Sequence, residues 1–261
     1  QNESNNRRPI GGNHARFGLP HCTTYSSQIP RTNGYPCGTH TPTVVEIIED
    51  RKSSMLKRLS QIASILLYPM LMPTYGMVLF CLAAKQLLPQ LPSIYVSVCL
   101  AGTAVLTLLI PIILLLFMQR KGYIDSLHID NANQRTTPYI YTLICYGFWA
   151  YFVRVTLQLP LFLFWVIIGA MIALLTVTII NHWWKISAHL TGIGGLLGGI
   201  CSFALNYATL PLILIIIILV LSLLLMYARL YLNAHTPMQV VCGFLLGLLC
   251  TFIPTLIVTN A

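Results

Sequence analysis

Acidic residues are nearly missing from this chain. Of its 261 residues only six are Asp or Glu. Glu3, Glu46, Glu49 and Asp50 precede residue 54, Asp125 and Asp130 share one later segment, and residues 131–261 hold none. That excludes a paired-carboxylate hydrolase, a carboxylate-ligated metal built from the second half, and an intramembrane acid for a proton relay. Charge of either sign is sparse as well, at 8% of residues, where a soluble domain carries about a quarter. No CxxC pair is present, which leaves a thiolate zinc site little support. Six cysteines, Cys81, Cys99, Cys145, Cys201, Cys242 and Cys250, fall inside apolar tracts and read as small hydrophobes. Cys22 and Cys37 could pair, and the sequence leaves that open.

What fills the chain instead is hydrocarbon: 56% of residues are hydrophobic. Apolar tracts near 61–84, 93–118, 138–156, 160–180, 189–207, 209–227 and 237–258 approach or exceed the roughly 20 residues that cross a bilayer core. None alternates at period two, which speaks against a β-barrel, and helices satisfy their own backbone in lipid. The expected fold is therefore all-α, a polytopic membrane bundle of six to seven transmembrane helices.

Residues 1–54 differ. They are polar, scattered with Gly and Pro, and poor in apolar residues, and they lack the continuous apolar centre of a signal peptide. The expected division is a disordered leader or upstream extension at 1–54 and a transmembrane domain at 55–261. Net charge is +9, but it is spread over loops as flanking charges of membrane spans are, with no cluster suited to nucleic acid.

Counting crossings places the loops at 119–137, 181–188 and 228–236 on one face. Arg120, Lys121, Asp125, His128, Asp130 and Arg135 come from the first, and His182, Lys185, Ser187 and His189 from the second. Arg229, His235 and Gln239 come from the third. The opposite face holds little beyond Lys85 and Arg154. Arginine binds phosphate bidentately, and lysine adds a point charge. Serine and helix-start N–H groups suit an anion. One imidazole can attack phosphorus while another protonates the leaving oxygen. Fixed cations can neutralise the transition state, so no metal or cofactor is expected. The set points to phosphoester chemistry at a membrane surface.

"RLYLNAH", Arg229 to His235, resembles the last signature of the type 2 phosphatidic acid phosphatase family. That signature runs serine-arginine, five residues, histidine, three residues, aspartate. "SAH", Ser187 to His189, is similar to the family's proline-serine-glycine-histidine motif, and the two stand in the family's order, two spans apart. The resemblance covers about 160–258. It implies a helical bundle with His235 as nucleophile, His189 as the acid on the leaving alkoxide, and Arg229 and Ser187 on the phosphoryl oxygens. It implies lipid phosphate substrates: phosphatidic acid, phosphatidylglycerol phosphate, polyprenyl diphosphates or lipid A phosphates.

The chain departs from the pattern at named positions. Ala228 stands for the family's serine, Ile186 and Ala188 flank Ser187, and Gln239 stands for the final aspartate. An amide can orient a histidine but brings no charge; in a Ser-His-Asp triad the comparable exchange costs about 10⁴ in rate. The family's first motif, lysine, six residues, arginine-proline, is missing before Ser187. Lys185, Lys121 and Arg135 are candidates for its phosphate-binding role.

Each residue also has a plainer reading. His189 could be a hydrogen-bonded helix-start residue, Arg229 could snorkel to headgroups, and Lys185 beside Trp183 and Trp184 is an ordinary interface anchor. Ser187 could cap the following helix. "TGIGGLLGG", Thr191 to Gly199, lies within a span where small residues allow close helix packing. Arg120, Lys121 and Arg135 could simply fix topology.

The leading reading is a metal-independent membrane lipid phosphate phosphatase of the bacterial inner membrane. The alternatives are a catalytically impaired lipid-phosphate-binding protein of the same fold and an unrelated transporter subunit. The side of the site stays open. Seven spans put it with Lys57 and Arg58 on the cytoplasmic face, whereas failure of the first tract, with Pro69 and Pro73, to cross inverts this.

Overall fold

The computed structural model describes residues 43–87, 92–124, 132–207 and 212–259. The described residues are helical and contain no strand. In chain order they form α1 (Val44–Leu66), a 3₁₀ turn (Pro69–Leu71), α2 (Met72–Leu87), α3 (Ser93–Ala104), a π turn (Val105–Leu109) and α4 (Ile110–Arg120). Then come α5 (Ala132–Tyr151), a second π turn (Phe152–Thr156), α6 (Leu161–Ile180), α7 (Ala188–Tyr207), α8 (Leu212–Tyr231) and α9 (Pro237–Thr259). Six stretches among the described residues are long and apolar enough to cross a membrane: 47–83, 93–120, 161–180, 188–207, 212–231 and 237–257. The seventh tract expected from the sequence corresponds to α5 and its π turn. It is long enough, but Asn133 to Thr137 and Arg154 dilute its apolar character.

The boundary expected at residue 54 falls inside α1, which runs unbroken from Val44 to Leu66. Its apolar residues Val44, Ile48, Met55, Leu59, Ile62 and Leu66 recur at helical spacing and are exposed, so this segment is amphipathic. Residues 1–42, with Cys22 and Cys37, lie outside the described residues, as do Asp125, His128 and Asp130.

Pro69 ends the first helix, because a residue before proline is driven out of the helical region; Tyr68 sits at ψ 138°. An α-helix leaves its last four carbonyls without intrahelical partners, and α1 accounts for all of them. The Ala63 carbonyl accepts from the Leu67 N–H, the Ile65 carbonyl from the Tyr68 N–H, and the Leu66 carbonyl from the Tyr75 hydroxyl. The Ser64 carbonyl lies 3.2 Å from Nε2 of His189, on α7. This break thus ties the first span to a candidate site residue.

The central helix is α7, with 61% of its spanning window buried, against 22–33% for the other five. It packs most extensively on α9, and glycines allow the approach. A Cβ on Gly194 would strike the Phe244 carbonyl, and one on Gly198 the Leu248 carbonyl. Reciprocally, one on Gly247 would strike the Thr191 carbonyl. The expected packing role of the glycine-rich stretch holds for this pair of α7 positions. At the far end of the bundle Phe80, Phe162, Phe203 and Tyr207 form an aromatic cluster. Buried hydroxyls inside the spans donate to the carbonyl four residues earlier, as at Thr107, Thr142 and Ser222.

Candidate active site

The α8–α9 connection is a short, fully specified turn. Asn233 takes φ 52°, the left-handed conformation that asparagine tolerates better than most residues. The Ala234 N–H reaches back to the Arg229 carbonyl and the Asn233 N–H to the Leu230 carbonyl, the two bonds of a Schellman end. Three residues on, "TPMQ" opens α9 as a capping box. The Thr236 N–H donates to Gln239 Oε1 at 3.1 Å, and the Gln239 N–H to Thr236 Oγ1 at 3.5 Å. Pro237 stands at the first helical position, where it loses no bond. His235 is clamped between these two terminators, and Arg229 sits in the last turn of α8.

The His235 ring is held at one nitrogen. Nδ1 lies 3.2 Å from both the Lys185 carbonyl and Gln239 Oε1. A backbone carbonyl only accepts, so Nδ1 carries the proton. The Thr236 N–H pins the oxygen of the Gln239 amide toward the ring. Nε2 is thereby the unprotonated nitrogen, the form a nucleophile needs. Burial, and next the Arg229 guanidinium, push the His235 pKa down from 6.5 to about 4, so the ring is neutral at physiological pH.

His189, in the first turn of α7, donates from Nε2 to the Ser64 carbonyl, and its ring meets Tyr68 edge-on at 5.3 Å. The loops that carry the two histidines are sewn together, since the Ser187 N–H donates to the Gln239 carbonyl at 3.2 Å.

Arg135 enters from the first turn of α5. It is 9% exposed, and Nη1 stands 3.5 Å from Oδ1 of Asn181, the buried residue that ends α6. Arg135, His189, Arg229 and His235 line one cavity of about 700 Å³. The other expected phosphate ligands are placed differently. Ser187 is fully buried and its hydroxyl has no hydrogen-bond partner among the described residues, but it does not line the cavity. Lys185 contributes its backbone carbonyl to His235, and its side chain is not part of the lining. Lys121 is exposed at the end of α4, with its ammonium 5.8 Å from the Phe117 ring. Gln239, the expected orienting residue, has Oε1 at 3.2 Å from Nδ1 of His235 and caps α9 besides.

Sequence reasoning missed several lining groups. Gln61, Ser64 and Tyr68 come from the end of α1 and Tyr139 from α5. The i, i+4 spacing of Arg135 and Tyr139 was a legible sign that both occupy one face. Nothing in the sequence announced that the end of α1 would reach His189. Among the described residues no three His, Cys, Asp or Glu side chains group to hold a metal ion.

With this geometry in view, the comparisons with known proteins fall into place. Residues 186–261 match the family model of the PAP2 superfamily, the family that the two histidine motifs resemble. The match begins one residue before Ser187 and takes in His189, Arg229, His235 and Gln239. No curated protein and no solved structure gives a significant match. The six apolar stretches make this an integral membrane protein, and its residues 186–261 are similar to that superfamily.

Proposed function

We propose that the protein hydrolyses a lipid phosphate monoester or diphosphate through a phosphohistidine on His235. The observation that carries this reading is the His235 ring, with Nδ1–H committed to two acceptors and Nε2 left to attack, in one cavity with His189 and two arginines. Nε2 forms a bond to phosphorus as the bond to the lipid alkoxide breaks. The alkoxide takes a proton from the His189 imidazolium and leaves as an alcohol. Water then attacks phosphorus, the P–N bond breaks, and inorganic phosphate departs. Arg229 and Arg135 neutralise the phosphoryl oxygens, with Arg135 in the role that the missing first motif holds in the family. Phosphatidic acid, phosphatidylglycerol phosphate, polyprenyl diphosphates and lipid A phosphates all present this group, and a bacterial inner membrane would supply them.

The test is phosphate release by purified protein in detergent, with EDTA present. Release from a lipid phosphate, its loss in His235→Ala, and an acid-labile phosphoryl-protein trapped by quench are the expected results. Gln239 favours a second reading, binding without cleavage, because an amide brings no charge to stabilise the phosphoimidazolium that forms when His235 attacks phosphorus. Lipid phosphate retained by the protein with no phosphate released would decide for it.

A further inference from the structure

We propose that Tyr68 is a phosphate-binding residue of this site: its hydroxyl donates a hydrogen bond to an oxygen of the bound phosphoryl group. This rests on the lipid-phosphate reading given above, and it adds a donor from outside the segment that matches the superfamily.

The local sequence and one glycine of α7 fix this side chain. Pro69 drives the residue before it out of the helical region, and Tyr68 takes φ −68° and ψ 138°. Hydrogen bonds hold the backbone on both sides of the break. The Tyr68 N–H donates to the Ile65 carbonyl, and the Tyr68 carbonyl accepts from the Leu71 N–H. Gly192 then lets α7 close on the break. A Cβ there would stand 3.2 Å from Pro69 Cα and 3.3 Å from Pro69 Cβ, tighter than ordinary contact. One turn before Gly192, the His189 ring meets the Tyr68 ring edge-on at 5.3 Å, and its Nε2 is bonded to the Ser64 carbonyl. The phenol is thereby held against a candidate site residue, where two spans meet.

The company of the hydroxyl selects what it binds. Tyr68, Arg135, His189, Arg229 and His235 line the same cavity, and Tyr68 lies within electrostatic reach of both guanidinium groups. Arginine only donates. The phenol makes no hydrogen bond to another described residue, although a tyrosine hydroxyl inside a bundle usually finds a partner. No carboxylate after residue 130 competes for the arginines. The group that satisfies two guanidinium forks and a phenol at once carries several acceptor oxygens and negative charge, as a phosphoryl group does. Tyr68 keeps its proton throughout, so no bond to it is made or broken. It adds a neutral donor beside two fixed cations.

Tyr68→Phe keeps the ring against His189 and removes only the hydroxyl. Phosphate release from phosphatidic acid by the purified protein should fall about 10²-fold, the loss that follows removal of one preorganised donor, with the melting temperature unchanged. Inorganic phosphate, titrated calorimetrically, should bind the variant about tenfold more weakly, as loss of a hydrogen bond to a charged group dictates. Gly192→Ala gives a second reading. Its methyl displaces Pro69 and the phenol with it, so turnover should drop in the wild-type background and much less in Tyr68→Phe, a coupling that independent sites do not show. Wild-type turnover and phosphate affinity in Tyr68→Phe overturn the proposal. So does a loss that travels with a falling melting temperature, or a Gly192→Ala effect of equal size in both backgrounds. If the unaltered protein binds phosphate but releases none from lipid, the hydrolase reading alone fails, and the calorimetric comparison still decides for or against Tyr68. A protein that neither binds nor releases phosphate overturns both.

Discussion

Residues 186–261 and residues 43–156 meet in the same cavity with unequal pedigrees. The first part matches a known superfamily and brings both histidines, Arg229 and the glutamine that orients His235. The second part has no such match, yet it supplies Arg135, the Tyr68 ring against His189, the Ser64 carbonyl on its Nε2, and cavity lining as far as Trp149. The difference teaches where constraint lies. Reacting groups must stand at fixed spacing, so they leave a motif. A cation at the rim or an apolar wall can come from any helix that reaches the place, so they leave none.

The harshest way to break the comparison is to remove the proposed nucleophile. His235→Ala should cut phosphate release by at least ~10⁴-fold, as loss of a covalent catalyst does elsewhere. Binding of a lipid phosphate should change far less. If release persists, the matched segment does not hold the chemistry.

Arg135→Ala asks whether the unmatched part contributes charge or only shape. Removing one preorganised donor to transition-state charge costs about 10²–10³-fold in rate, and that loss is expected here. Arg135→Lys should recover part of it, since a point charge replaces a bidentate fork. Lys121→Ala, on the exposed end of α4, should alter the rate by less than about twofold. Equal effects of Arg135→Ala and Lys121→Ala would reduce the N-terminal helices to scaffolding.

Gln239→Glu sharpens the contrast between the family's aspartate and this chain's amide. Glutamate preserves the reach and the capping box and adds a negative charge beside the ring. A rise in turnover of roughly 10-fold or more is expected, a fraction of the ~10⁴ that a carboxylate-to-amide exchange costs a triad. The pH profile carries the sign. In the wild type the acid limb of kcat/KM should fall as pH drops through about 4, where His235 takes up its proton. With glutamate at 239 the imidazolium is favoured, so the acid limb should move upward toward 6.5. An unmoved limb would mean that His235 does not govern the rate.

Much of this was legible in the sequence, and the exceptions have physical causes. Tract lengths gave the spans because a bilayer fixes helix length. They did not give α8 its inward face, since Leu and Ile serve lipid and core alike; the small residues Ser222 and Ala228, buried with Ile218 and Leu225, were the only sign. Residues 44–54 read as leader because seven charges between Glu46 and Arg58 mask an apolar stripe that recurs at helical spacing. That His189, Arg229 and His235 line one cavity was legible because spacing and loop parity converge on them. Lys185 and Lys121 were named for charge alone, which does not say where a flexible side chain ends. Gln239 was read as a degraded aspartate, although "TPMQ" spells a capping box that holds the residue for a second reason.

The smallest expected effect concerns the two glycine faces of α7, and it separates the matched helix pair from the cavity it borders. A methyl at Gly198 would run into the Leu248 carbonyl and the Thr251 hydroxyl, so α9 must shift. Overpacking of that kind typically costs 1–3 kcal/mol, and the melting temperature in detergent should fall by several degrees. A methyl at Gly195 meets Thr251 Cγ2 at 3.5 Å and the Gly247 carbonyl at 3.7 Å, both ordinary contact distances, and alanine gains roughly 0.5–1 kcal/mol of helix propensity over glycine. Gly195→Ala should therefore melt at or slightly above the wild-type temperature while narrowing the cavity. Its stability and its lipid binding should move in opposite directions, which no simple packing defect produces. If Gly195→Ala and Gly198→Ala destabilise equally, the two faces are one, and the glycines of α7 serve helix packing alone.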